Sequence, residues 1–593
     1  MNSVIQTTRR ASAATSAATS AATSATTSAA TANTATPQQI SVGELVARFL
    51  SQCGVQAAFG VISIHNMPIL DAFHRLGQVR FVPARGEQGA TGMADAYARV
   101  SGGLGVVITS TGTAAGNTCG AMVEAQTAGT PLLHITGQVE LPYLDRNLAY
   151  IHEARDQMSM MKSLCKSAWR IWDAQSALGV LRAAVRDAMS APAGPVGLEI
   201  PIDVQEMLVD LPDDLSPLPL TGAQPDAAAL DALAAALARA RRPLLWLGGG
   251  ARGASAAVQR LVALGIGVVS STQGRGILRE DHPLSLGAFN IHAPVEAFYA
   301  SCDAMLVVGS KLRSNETFKY RLRLPQPLYR IDADPAQEGR NYASSQFVCG
   351  DAALALQGLA ERLEQRRAAG GFVIDPAFAA DLRQAHDAAV ALVRKGLAPY
   401  APLVDGLQQI AGGQPLWVRD VTVSNSTWGN RLLQLFGPRD GVHALGGGIG
   451  QGFQMGIGAA IAEQLRPDAK PRKVLCLSGD GGLMVNVGEL ATAVQEQADL
   501  LIVLMNDRGY GVIRNIQDAQ YGGRRVYADL HTPDFAQLAS ALGLGYLRLD
   551  RIEDVSARLA EAAAQRGPLI LEVDMNAIGP YQTVFAGPPV RKN

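Results

Sequence analysis

The sequence predicts an α/β protein of three doubly wound parallel-sheet domains, on three observations. Short apolar runs such as Val474–Leu477 and Leu500–Met505 stop abruptly at Gly, Asp or Asn, as buried parallel strands end in turns. Stretches with helical spacing lie between successive runs, the rhythm of strand–helix–strand crossovers. A chain of 593 residues also has room for about three to four domains of ordinary size.

Taken in order, residues 1–37 repeat Ala, Thr and Ser with almost no large apolar side chain. They bury too little to offset the entropy of ordering and read as a disordered tail. Arg9 and Arg10 stand there, but the apolar core of an export signal is missing. From Ile40 the pattern changes: Val42, Leu45, Val46, Phe49 and Leu50 recur at helical spacing, and Val55–Phe59 reads as a strand. Val106–Thr109, Pro131–Ile135 and Val196–Ile200 continue the alternation, and the first domain is placed at 38–210.

Pro212, Pro217 and Pro219 punctuate a linker, and an alanine-rich helical stretch, Asp226–Arg242, opens a second domain at 211–385. Its runs Leu244–Leu247, Val268–Ser271, Met305–Val308 and Leu328–Ile331 form a doubly wound pattern. Three of them stop at glycines or Asp332, a potential nucleotide crevice. A charged helical stretch, Leu356–Lys395, leads into the third domain, 386–593, whose α/β part spans Pro402–Ala586.

The formal net charge of −1 gives no reason to expect nucleic acid, and a small substrate is expected instead. No continuous apolar stretch reaches the roughly 18 residues of a membrane span. Cys53, Cys119, Cys165, Cys302, Cys349 and Cys476 are scattered without a CxxC pair, mostly in apolar runs. That usage points to reduced, buried thiols and a cytoplasmic protein.

Chemistry concentrates in Ser478–Gly511. Two adjacent strand ends would present Asp480 and Asp507 side by side, two hard oxygen ligands suited to magnesium. Gly479, Gly481 and Gly482 would let backbone amides approach a phosphate, and Gly488–Gln495 has the spacing of a crossover helix. Alone, a Gly-Asp-Gly-Gly run is equally an ordinary tight turn.

With Gly479-Asp480-Gly481 followed at the family's spacing by Asn506-Asp507, the chain resembles thiamine-diphosphate-dependent enzymes of the acetolactate synthase, benzoylformate decarboxylase and benzaldehyde lyase group. The resemblance spans Ile40 to about Pro589. It implies a pyrimidine-binding first domain, a nucleotide-binding-like central domain and a diphosphate-binding third domain. It implies magnesium held by Asp480, Asp507 and the Gly509 carbonyl, with Asn506 beside them, although Asp507 stands where the family carries asparagine. It also gives Glu87, in Arg85-Gly-Glu-Gln-Gly-Ala, the role of hydrogen-bonding the thiamine aminopyrimidine so that C2 can lose its proton.

The glycine-dense stretch Leu445–Phe453 resembles the segment whose wedge holds the cofactor bent. Here the wedge falls on Gln451, with Ile449 as the apolar alternative. Ser424, Asn425 and Ser426 resemble diphosphate contacts, and equally a polar helix start. Thr111-Gly-Thr-Ala114 and Gly60–His65 replace the family's proline-bearing loops, making His65 a candidate for proton transfer or carboxylate binding. Ser110, Asn117 and Gln138 are further substrate candidates. His152, Glu153, Asp156 and Gln157 resemble the substrate entrance, and Lys166 matches a family lysine.

Gln517–Arg524 and Thr532–Ala539 resemble acetolactate synthase more than simple decarboxylases, but Ile516 stands where that enzyme usually has Trp. The implied reaction is decarboxylation of a 2-oxo acid such as pyruvate and transfer of the acyl-anion equivalent to a second carbonyl. The alternatives are a simple decarboxylase or aldehyde lyase and, further off, an inactive regulatory homologue. Gly248–Gly250 and Gly309–Arg313 resemble FAD-binding segments, but relatives keep the fold without flavin, so FAD stays open. The resemblance further implies a homodimer or homotetramer with active sites between subunits.

Overall fold

The computed structural model of the protein describes residues 38–467, 470–585 and 587; the tail read at 1–37 lies outside them. The described strands are β1 (Gln39–Ser41), β2 (Ala57–Gly60), β3 (Arg80–Pro83), β4 (Gly105–Thr109), β5 (Leu132–Gln138), β6 (Ser167–Arg170), β7 (Pro195–Pro201), β8 (Leu208–Asp210), β9 (Pro243–Leu247) and β10 (Gly267–Ser270). They continue with β11 (Ala304–Val308), β12 (Leu328–Asp332), β13 (Gln346–Cys349), β14 (Leu416–Arg419), β15 (Gly441–His443), β16 (Val474–Gly479), β17 (Leu500–Asn506), β18 (Gly545–Leu549) and β19 (Leu569–Asp574).

These strands build three parallel sheets, ordered β3-β2-β4-β5-β7-β6, β10-β9-β11-β12-β13 and β15-β14-β16-β17-β19-β18. A short antiparallel pair, β1 with β8, ties the start of the first domain to its end. Helices cover the sheets, and the central strands β4, β5, β7, β9, β11 and β17 are buried along their whole length, β9 and β11 as unbroken apolar runs and β5 and β7 with buried polar side chains among their apolar ones. This is the three-domain α/β architecture expected. Two local differences have plain causes. Val55 caps the preceding helix, its N–H bonded to the Leu50 carbonyl at 3.1 Å, so β2 starts at Ala57. The charged stretch is two helices, Ala352–Ala368 and Phe378–Lys395, broken at Gly370 with φ +74°.

One packing contact sets the geometry of the site. The helix Glu87–Ser101 of the first domain lies against the helix Gln451–Gln464 of the third, and both are buried on nearly every side. Ala90, Met93, Ala94 and Tyr97 share one hydrophobic core with Phe453, Met455, Ile457 and Ala460. The approach is close enough that a Cβ on Gly458 would overlap the Met93 carbonyl. Cys165, Cys302 and Cys476 are buried as expected, whereas Cys53 and Cys119 are half-buried and Cys349 is exposed. No helix among the described residues is long and apolar enough to cross a membrane.

Candidate active site

Parallel register brings the third-domain residues together. Gly479 at the end of β16 pairs with Met505, and Asn506 at the end of β17 pairs with Asp574, so Asp480 and Asp507 follow neighbouring strand ends. Asp480 does not sit in a loose turn: it opens the short helix Asp480–Val485. Burial raises both carboxyls above the usual carboxylate range, the charge of Asp507 adding to the rise at Asp480. Asp480 Oδ2 is buried without any hydrogen-bond partner. A buried acid pair with an orphaned oxygen is short of positive charge, which a divalent cation would supply.

Among the described residues no group of three or more His, Cys, Asp or Glu side chains could hold a metal. The donor set is therefore two carboxylates, which fits magnesium, an ion that commonly takes one or two carboxylates plus substrate phosphate and water. The turn bearing Gly509 is clamped by the strap at 528–530: Tyr510 N–H bonds the Ala528 carbonyl at 2.8 Å and Leu530 N–H the Arg508 carbonyl at 3.1 Å. A Cβ on Gly509 would collide with Ala528, and Arg508 takes φ +57° to complete the turn. Arg514 donates to the Asp507 carbonyl at 2.9 Å.

Asn506 points away from this pair. Its amide donates to Glu572 at 2.7 Å and its oxygen accepts the Arg508 N–H at 3.1 Å, so it shapes the turn. Ser424 accepts the Tyr581 hydroxyl at 2.8 Å, and Asn425 Oδ1 is buried without a partner. Gln451 is buried at the start of its helix with its amide oxygen on Gln454 at 2.7 Å, whereas Ile449 on the loop before it is 37% exposed. Ile516 lies half-buried on the helix Gly511–Gln520, which has no fully buried residue.

Sequence reasoning missed two carboxylates here. Asp420, just past β14, is completely buried, accepts the Gly450 N–H at 3.0 Å and packs against Gly482; burial pushes it up to about 7. Glu489 accepts the N–H groups of Arg85 and Gly86, both at 3.0 Å, and so caps the helix that begins at Glu87. The acid that ends the run Leu-Trp-Val-Arg-Asp420 was a usable signal; nothing in the sequence marks Glu489.

In the first domain Glu87 is half-buried, and its Oε2 accepts the Asn117 amide at 3.0 Å. Asn117 ends a short helix, Thr113–Asn117, that follows Ser110 by three residues. Ser110 Oγ lies 3.1 Å from Nδ1 of His65, which is buried; burial and the neighbouring His152 hold the His65 imidazole below its usual value. One segment therefore joins Glu87 and His65. Beneath it Gln138 and Gln157 form a buried network: Thr111 Oγ1 lies 2.7 Å from Gln138 Oε1, the Gly112 N–H donates to Gln157 at 2.6 Å, and Gln157 donates to Glu199 at 2.9 Å. Lys166 lies outside it, donating to the Asp187 and Ser190 carbonyls. Among the described residues no hydrogen bond or ion pair joins Glu87 or His65 to the Asp480–Asp507 pair.

The comparisons with known proteins decide the family. The thiamine pyrophosphate enzyme N-terminal TPP binding domain matches residues 40–160, the central domain 230–359 and the C-terminal TPP binding domain 422–573. The chain belongs to the thiamine pyrophosphate enzyme family. Its relatives include a probable 2-ketoarginine decarboxylase of Pseudomonas aeruginosa, 32% identical over 549 residues that cover 91% of this chain and 94% of the relative. The acetolactate synthase isozyme 1 large subunit of Escherichia coli is 28% identical over 555 residues, 92% and 95% of the two chains. A probable chloroplastic acetolactate synthase of Oryza sativa is 28% identical over 581 residues, 91% and 86%. In this thiamine pyrophosphate enzyme, Glu87 and His65 fall inside the N-terminal match and Asp480 and Asp507 inside the C-terminal one.

Proposed function

We propose that the protein is a thiamine-diphosphate- and magnesium-dependent enzyme that decarboxylates a 2-oxo acid and passes the acyl-anion equivalent to a second carbonyl. The observation that supports it most is the buried Asp480–Asp507 pair with its orphaned oxygen, at the strand ends of a domain matched to TPP binding. When bound, thiamine diphosphate supplies a nucleophilic carbon and a sink for the electrons that carbon dioxide leaves behind. Asp480, Asp507 and the Gly509 carbonyl would hold magnesium against the diphosphate. Backbone N–H groups at Gly479, Gly481 and Gly482, with Ser424 and Asn425, would meet the phosphate oxygens. Ile449, the more exposed of the two wedge candidates, would support the bend of the cofactor.

Glu87 would hold a proton on the aminopyrimidine through Oε1, since Oε2 is held by Asn117. His65, kept neutral by burial, would take or return a proton at Nε2 while Ser110 fixes the ring through Nδ1. Ser110, Asn117 and Gln138 would shape the substrate side of the site. A second reading, release of an aldehyde without transfer, draws on Ile516 in place of the usual Trp and on the decarboxylase relative.

In line with the family resemblance, we place the complete site between two subunits of a homodimer or homotetramer. Ile62 at 59% and Ile513 at 44% exposure are apolar surface that such an assembly would cover. The central cleft is a cavity of about 490 Å³ lined by Gly249, Gly250, Arg252, Gly309, Lys311 and Arg313, and FAD is the cofactor to test there. The cysteine usage keeps a cytoplasmic setting within this reading.

The test is carbon dioxide release from a panel of 2-oxo acids, including pyruvate and 2-ketoarginine, by purified protein with thiamine diphosphate and magnesium. Release that chelation abolishes and magnesium restores is expected; no release from any acid sinks the proposal. The absorption spectrum of the same sample reads flavin directly.

A further inference from the structure

Glu140, two residues past β5, carries a carboxylate that the chain only half satisfies. Its Oε1 accepts the Tyr150 hydroxyl at 3.0 Å, while Oε2 is shut off from solvent and has no hydrogen-bond partner among the described residues. Leaving a buried carboxylate oxygen bare is costly unless a ligand or partner completes it. The charge of Glu140 is felt at His65, and the His65 and His152 rings meet edge-on with centroids 5.4 Å apart, yet neither imidazole hydrogen-bonds Glu140.

The surroundings favour a cation. Tyr143 stacks with centroids 5.0 Å apart on Tyr150, the ring whose hydroxyl reaches Glu140, and aromatic faces attract ammonium and guanidinium groups. No Lys or Arg among the described residues pairs with Glu140. Asp145, Asn147, Ala149 and His152 all take positive φ in the loop that carries Tyr150. That loop packs so closely on Gly112 that a Cβ there would overlap the His152 carbonyl, which holds the loop against the turn bearing Ser110.

We infer that Glu140, with Tyr143 and Tyr150, recognises a cationic end group on the 2-oxo acid whose carbonyl end is handled beside His65. This rests on the decarboxylation proposed above and adds the class of substrate to it. A guanidinium or ammonium would donate to Oε2 and lie against the tyrosine faces, whereas a neutral chain would leave the oxygen bare.

The experiment compares kcat/KM of the holoenzyme for 5-guanidino-2-oxopentanoate, for neutral 2-oxohexanoate of similar length and for anionic 2-oxoglutarate. The cationic acid is expected to exceed the neutral one by about tenfold or more, with the anionic acid poorest. That preference should collapse in Glu140→Gln and return in part in Glu140→Asp. Neutral and cationic acids used equally well by the unaltered enzyme, or a preference that Glu140→Gln leaves intact, overturns this inference alone. Absence of carbon dioxide from every acid overturns it together with the reaction on which it rests.

Discussion

Removing the Glu489 carboxylate should damage a domain to which Glu489 does not belong. The side chain is 2% exposed and accepts the Arg85 and Gly86 N–H groups at 3.0 Å and the Thr492 hydroxyl at 2.6 Å. Glu489→Ala strands two backbone donors just ahead of the Glu87 helix and one hydroxyl. A buried donor left unpaired costs about 1–3 kcal/mol, and only the Thr492 hydroxyl is fully buried while the two N–H groups are part-buried, so a loss of roughly 2–4 kcal/mol is expected. Glu489→Gln keeps an oxygen where Oε1 serves both N–H groups and also removes a charge that burial disfavours, so its cost is about 1 kcal/mol.

Activity should follow the same order. Glu87 begins one residue after the capped Gly86, and a misplacement of about 1 Å in a catalytic group can cost on the order of 10²-fold. The assay pairs denaturant melting with kcat at saturating thiamine diphosphate and magnesium. Unaltered melting and turnover in Glu489→Ala would refute the capping argument, as would a Gln variant as impaired as the Ala variant.

Glu87→Gln should lower kcat by about 10²–10⁴-fold while calorimetry still detects thiamine diphosphate binding; full turnover removes Glu87 from its role. Asp420 gives a pH test. Its folded value is raised to about 7 from an ordinary 3.8, so the stability it contributes is present below about 4 and lost as pH rises through about 7. Melting followed from pH 4 to 8 should therefore fall more steeply in the native protein than in Asp420→Asn, and parallel curves would contradict the burial argument.

Much of the scaffold was legible because its rule is local. A fully buried parallel strand needs an unbroken apolar run and a turn residue after it, and Leu244–Leu247 and Leu500–Met505 announce themselves that way. The Asp480–Asp507 pairing was legible for the same reason, since adjacent parallel strands in register bring their ends together. What stayed hidden is non-local. Glu489 looks like any acidic residue at a helix start, and only folding brings it to Arg85, 404 positions away. Asn506 illustrates the converse: its place beside Asp507 suggested a ligand contact, but Glu572 on the neighbouring β19 takes its amide. The orphaned oxygen of Glu140 is also a property of packing, invisible until Tyr150 is seen to satisfy only one side.

These placements carry a consequence for an assembly with sites between subunits. The helix that starts at Asp480 is followed directly by the one that starts at Glu489, so the proposed metal ligand Asp480 and the cap of the Glu87 helix lie within a few residues of one chain. If, as proposed, Glu87 serves the cofactor held by the partner subunit, magnesium and diphosphate binding at one site would act on a segment that positions the Glu87 of the other. The close helix pair around Gly458 and Met93 gives that movement little room to dissipate, because interiors packed at this density shift as units. Coupling between the two sites would then run through Glu489 and not through the substrate pocket, and Glu489→Ala should weaken it even where each site still binds its cofactor.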